Sequence, residues 1–153
     1  QQKSIREKKG LSAGNAMGII VLGAIFSLGI NYLFAALGFL QSSENYQQVA
    51  ERQFSLPLWL ALVFYGILSP WAEELVFRGI FYRVLRRNLS KMAAVFGAAF
   101  MFGIFHGNLV QMVYGILMGS IMALLYEKYQ NLMAPILFHG AANTAIYTVT
   151  YFF

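Results

Sequence analysis

Glu73, Glu74 and Arg78 sit in the segment Ser69-Pro70-Trp71-Ala72-Glu73-Glu74-Leu75-Val76-Phe77-Arg78-Gly79, which is otherwise apolar and reads as membrane-buried. A charged side chain at the centre of a membrane helix costs about 2.5–3.5 kcal/mol on insertion scales, so three of them demand mutual pairing or a function. On a helix, Glu74 and Arg78 are four residues apart and share a face, so they can pair, while Glu73 points elsewhere. One carboxylate is neutralised and Glu73 is left over. The plain structural account is a buried ion pair with Glu73 reaching the interface. The competing account is a functional one, the default for ionisable groups inside a membrane.

The chain has 153 residues, enough for one domain, and 59% of them are hydrophobic. With a mean hydropathy of +0.60, that is well above a soluble domain. Only 11% are charged, so the net charge of +5 comes from a few clusters near segment ends and not from a basic stripe. Nucleic acid is therefore not an expected partner, and the lipid bilayer is. There is no cysteine, which excludes disulfides, iron–sulfur clusters and cysteine-bound zinc. Any metal must use His and carboxylate ligands.

Gln1 to Gly10 carries Lys3, Arg6, Lys8 and Lys9 against Glu7, and the positive-inside rule makes residues 1–13 a cytoplasmic basic segment. The apolar run from Gly14 to Leu40 is too long for the core of a signal peptide and reads as a permanent first helix. Residues 14–153 are expected to be one membrane-embedded domain. The chain lacks an initiator Met and stops in Tyr151-Phe152-Phe153, so a fragment of a longer protein is expected.

Gln41 to Ser55 is polar and is expected to form a loop. From Pro57 to Arg87 one helix would extend about 46 Å, longer than a hydrocarbon core of about 30 Å, so a bend at Pro70 is expected. Proline removes a backbone hydrogen bond one turn before the acidic pair and frees a carbonyl, tolerated only beside protein or water. Arg83, Arg86, Arg87 and Lys91 then form a second basic cluster, two crossings from the first. Further spans are expected over Met92–Gly107, Leu109–Tyr126 and 132–153. Gly115 and Gly119 have the spacing of close helix packing. The expected fold is thus all-α, a polytopic bundle of about five transmembrane helices around a polar cavity.

His106, His139 and Asn143 also lie in apolar sequence, on helices other than that of Glu73. Counted from the inner helix ends, Glu73, His106, His139 and Asn143 lie about 20, 22, 12 and 18 Å deep. Modest tilts would bring them together, and His139 and Asn143 share one helical face. Glutamate and histidine are what peptide hydrolysis by water requires, with Asn and His as donors to the oxyanion. No Gly-x-Ser-x-Gly, cysteine or His-Glu-x-x-His is present, so water is the expected nucleophile.

Glu73-Glu74-x-x-x-Arg78, Phe102-x-x-x-His106 and His139-x-x-x-Asn143, in this order on separate helices, resemble the three motifs of the CAAX-processing and bacteriocin-processing (CPBP, or Abi) intramembrane protease family. The resemblance spans residues 57–143. It implies a membrane helical bundle and an endopeptidase acting on membrane-associated peptides or proteins. It makes Glu73 the water-activating glutamate, His106 its partner, and His139 and Asn143 the oxyanion-side pair, with Glu74 and Arg78 in support.

Glu73, His106 and His139 are also ligand types that suit a catalytic zinc. Asn143 is a poor zinc ligand on the same face as His139, which favours a donor pair and chemistry without a required cofactor. Two rivals remain at this stage. One is a non-catalytic binding or immunity protein using the same cavity. The other is a transporter using Glu73, His106 and His139 as a relay, for which no inverted repeat is visible. A bacterial cell membrane, with the N-terminus in the cytoplasm, is the expected location.

Overall fold

The computed structural model describes residues 10–153, and among them it has six helices and no strand. They are α1 (Ala13–Ala36), α2 (Glu44–Phe54), α3 (Leu58–Asn88), α4 (Lys91–Ile104), α5 (Leu109–Tyr129) and α6 (Met133–Phe152). The basic stretch 1–9 lies outside the described residues. The fold is the expected all-α bundle.

Of the five expected spans, α1, α3 and α5 are long and apolar enough to cross a membrane. The 14 residues of α4 rise only about 21 Å. Its small residues Ala94, Ala98, Ala99 and Gly103 are buried in the bundle. α6 is interrupted by His139, Asn143 and several threonines and runs in the shelter of α1 and α3.

α1 begins at Ser12, whose hydroxyl accepts from the Asn15 N–H. It ends where Gly38 takes a φ of 70°, open to glycine without a Cβ penalty. The Gly38 N–H returns to Ala35 O and the Phe39 N–H to Phe34 O, closing the helix with two hydrogen bonds. The Phe34 and Phe39 rings seal this turn edge to face, their centroids 5.1 Å apart. Phe34 is thereby fixed in the wall of the central cavity.

Gln41–Ser55, expected to be a loop, contains α2 instead. Tyr46, Val49, Ala50, Gln53 and Phe54 recur at helical spacing and all five face the cavity. Ser43 caps the start, with Glu44 in the first turn and Arg52 in the last, both matched to the helix dipole. The segment's overall polarity hides this periodicity.

α3 runs through Pro70 as one helix, and it widens on either side of it. Leu62–Leu68 and Leu75–Tyr82 have π-helical hydrogen bonding on either side of the α-helical Ser69–Glu74. Ser69 N–H bonds Phe64 O, five residues back. In that register the Tyr65 carbonyl faces position 70, where proline has no N–H. The widening thus spreads the defect that proline makes over two turns.

α1 and α6 run parallel: Gly23 abuts Phe138, and Ser27 Oγ donates to Ala142 O at 3.2 Å. The start of α1 therefore lies at the end of the bundle that carries the start of α6. α4 and α5 cross antiparallel at Gly103, where an added Cβ would lie 2.6 Å from Met112 O and 2.7 Å from Ile116 Cγ1. Gly103→Ala is expected to cost about 1–3 kcal/mol of stability by overpacking, read as a lower thermal midpoint in detergent. Gly29→Ala, where an added methyl meets nothing within 4 Å, is expected to leave that midpoint unchanged or higher.

Candidate active site

Arg78 is fully buried, and its position organises the site. Its Nη1 donates to Glu74 Oε1 at 2.7 Å and its Nη2 to the Gly119 carbonyl of α5 at 2.9 Å. A Cβ on Gly119 would stand 3.2 Å from Nη2, so the absent side chain makes the guanidinium's berth. The ring of Phe102 lies under the guanidinium at 4.7 Å. The spacing of Glu74 and Arg78 predicts this pair.

Glu74 does more than pair with Arg78. The same Oε1 accepts from His139 Nδ1 at 3.0 Å. A carboxylate only accepts, so Nδ1 carries hydrogen and Nε2 is directed elsewhere. That Nε2 lies 3.9 Å from Glu73 Oε2. His139 is therefore bracketed by both carboxylates, and it is nearer to Glu73 than the expected partner His106, which makes no ion pair with Glu73.

Glu73 is the central residue of α3. Its Oε1 accepts from the Ser69 hydroxyl one turn earlier, while its Oε2 is buried with no hydrogen-bond partner among the described residues. Ser69 was not singled out from the sequence, although its four-residue spacing to Glu73 matches that of Glu74 to Arg78.

His106 follows α4 in a short turn closed by Gly107, whose φ is 75°. Its Nδ1 bonds the Phe102 carbonyl at 2.8 Å, which again leaves hydrogen on Nδ1 and turns Nε2 outward. The Phe102 ring meets both imidazoles edge to face, with centroids 4.9 Å from His106 and 5.6 Å from His139. Phe102 thus holds both histidines and the arginine at once.

Asn143 Nδ2 donates to Tyr65 O at 2.8 Å, the carbonyl that Pro70 deprives of a backbone partner. The side chain expected to face a substrate therefore also repairs the backbone of α3. An amide nitrogen has two hydrogens, and one remains for the cavity.

Glu73, His106, His139 and Asn143 line one cavity of about 360 Å³. Its polar floor comes from α3, α6 and the turn after α4. Its opposite wall is aromatic and amide-rich: Asn31 and Phe34 of α1, the inner face of α2, and Tyr114 of α5. Tyr65 and Tyr147 stack in parallel at 5.0 Å, with Phe54 against Tyr147 at 4.9 Å, tying α2 to α3 and α6. Burial raises the Tyr46 hydroxyl above its ordinary pKa of 10, so it faces the cavity as a neutral group.

Both histidines hold Nδ1–H against an acceptor and present Nε2, as metal-binding histidines do. Among the described residues, no group of three or more His, Asp or Glu side chains is arranged as a metal-ligand set.

The family described as Type II CAAX prenyl endopeptidase Rce1-like matches residues 55–145, more than half of the chain. The chain belongs to this family. All of Ser69, Glu73, Glu74, Arg78, His106, His139 and Asn143 fall within the matched stretch, and α1 and α2 precede it. The protein named "Putative membrane peptidase YdiL" from Bacillus subtilis (strain 168) is 29% identical over 125 residues, 80% of this chain and 50% of that protein. The chain thus spans about half the length of that relative. No solved structure matches.

Glu74→Gln is expected to strand the buried Arg78 and release His139, at a cost of about 3–5 kcal/mol. Thermal unfolding in detergent should show a far lower midpoint for Glu74→Gln than for Glu73→Gln, whose carboxylate carries no partner cation.

Proposed function

We propose that this protein is an intramembrane endopeptidase that hydrolyses membrane-proximal peptide or protein substrates with a water activated by Glu73. The observation that carries this reading is the Glu73 carboxylate: Ser69 steadies one oxygen, and the other is buried, unpartnered and 3.9 Å from His139 Nε2. Burying a carboxylate oxygen without a partner is costly, and a proton-accepting role explains why it is kept.

In this reading a water in the cavity loses a proton to Glu73 as its oxygen adds to the scissile carbonyl carbon. His106 Nε2, held outward by the Phe102 carbonyl, orients that water. The spare N–H of Asn143 faces the oxyanion. Glu73 passes that proton on to His139 Nε2, 3.9 Å away, and the imidazolium, steadied by Glu74, stabilises the same charge until it gives the proton up again. Collapse of the tetrahedral intermediate breaks the C–N bond, and the proton first taken from water leaves on the amine. Ser69, Glu74 and Arg78 touch no substrate and act as positioning residues. The aromatic wall suits an apolar substrate segment entering from the bilayer. A bacterial membrane, with the N-terminus cytoplasmic, is the setting that the two basic clusters and the Bacillus relative support.

The test is cleavage of membrane-anchored reporter peptides by the protein in liposomes. Glu73→Ala is expected to lower the rate about 10²- to 10⁴-fold, as for loss of a general base, with the fold intact. Cleavage equal to wild type would overturn the assignment. Tight peptide binding without turnover in wild type would favour the non-catalytic binding protein instead.

We also propose that no metal is required, because the ligand types present form no metal-ligand set among the described residues. The outward Nε2 atoms of both histidines favour the second reading, a zinc site. Zinc would act as a Lewis acid held by Glu73, His106 and His139. Activity that survives exhaustive chelation, with no stoichiometric metal by elemental analysis, is the expected result. Activity lost on chelation and restored by zinc would overturn it.

A further inference from the structure

A second concavity, of about 370 Å³, lies where α3 and α5 end side by side, about three turns along α3 from Glu73. It is lined by Arg83, Arg86 and Arg87 of α3, by Tyr82 beside them, and by Tyr126 and Glu127 of α5. Three guanidinium groups face one carboxylate. Glu127 is already engaged: its Oε2 accepts from the buried Tyr82 hydroxyl at 2.8 Å and its Oε1 from Arg86 Nε at 3.2 Å. Arg83 Nε donates to the Tyr126 hydroxyl. These contacts fix the ε side of Arg83 and Arg86. They leave both η nitrogens of Arg83, and all of Arg87, without a hydrogen-bond partner among the described residues.

The positive-inside rule accounts for basic residues at this end of the chain, but not for their arrangement. Two arginines are steadied by a tyrosine hydroxyl and a glutamate, so their remaining donors are oriented before any ligand arrives. Planar, preorganised guanidinium donors match the oxygens of a phosphate. The apolar surface beside them points to the source of that phosphate. Val76, Ile80 and Val84 are exposed at four-residue spacing along α3, and the series ends at Arg87. A chain lying on these three residues would bring its headgroup to the pocket.

We propose that this pocket binds the phosphate of an anionic phospholipid, with one acyl chain along Val76, Ile80 and Val84. The site is distinct from the cavity at Glu73, and its occupation does not depend on catalysis. Glu127 serves it by orienting Arg86, and its single charge leaves the lining net positive, so a zwitterionic lipid is bound less well.

The test uses the protein in neutral detergent, offered phosphatidylglycerol or phosphatidylcholine of identical acyl composition, with retained lipid counted by native mass spectrometry. Wild type is expected to retain the anionic lipid preferentially. Arg87→Gln, at an exposed position with no hydrogen-bond partner among the described residues, is expected to lower that retention about fivefold without shifting the thermal midpoint of the lipid-free protein. Arg52→Gln, on α2 at the opposite end, is expected to leave it unchanged. Equal retention of the two lipids, or the same loss in Arg52→Gln, would overturn the proposal. Inorganic phosphate in a third arm distinguishes the source. If it displaces the lipid and raises the thermal midpoint as much, the pocket takes a soluble anion and the lipid assignment fails.

Discussion

A guanidinium buried among membrane helices has to be held on several sides, and Arg78 is held on three. Glu74 supplies the countercharge from the same helix, the Gly119 carbonyl a second acceptor from α5, and the Phe102 ring a face to lie on from α4. Removing Glu74 would leave that charge without compensation in a low-dielectric interior. Glu74 passes the constraint on to α6 through His139. One ion pair therefore joins four helices and sets which nitrogen of His139 faces the cavity. The close approach at Gly119 is a condition of this arrangement, since a side chain there would crowd the guanidinium.

Pro70 acts on the other side of Glu73. The missing N–H at position 70 would leave a naked carbonyl in the bundle, and the π-helical turn together with Asn143 absorbs it. Asn143 thereby fixes α6 against α3 one turn beyond the His139 contact, and Thr144 packs directly on Gly66. Two features of one helix, the carboxylate that pairs the buried arginine and the proline, are each met from α6, by His139 and by Asn143. The repairs place His139 and Asn143 beside Glu73. Positioning of the candidate catalytic groups and satisfaction of the backbone are here the same set of contacts.

The cavity has two origins. Its polar floor belongs to the stretch shared with the Rce1-like family, residues 55–145. Much of its facing wall comes from α1 and α2, which precede that stretch and present Phe34, Tyr46 and Phe54. The polar floor thus lies within the family's stretch, while much of the aromatic wall lies outside it. The basic pocket at the ends of α3 and α5 is a third region, tied to the floor only through the length of α3.

Much of this was legible in the sequence because membrane burial makes each polar residue conspicuous. The helical class, the Glu74–Arg78 pair and the candidate set Glu73, His106, His139 and Asn143 all follow from charges and amides standing alone in apolar runs at four-residue spacing. The sequence of α2 resembles a loop because its mean polarity masks a helical period that only a face-by-face count reveals. Which histidine stands nearest Glu73 depends on helix tilt and rotation, and depth counting along separate helices carries no information on either. The sharing of Glu74 between Arg78 and His139, and the capture of Tyr65 O by Asn143, join residues 65 and 78 positions apart. Contacts of that kind are decided by how the helices pack. The sequence alone determined which groups had to find partners, and the tertiary structure decided who the partners are.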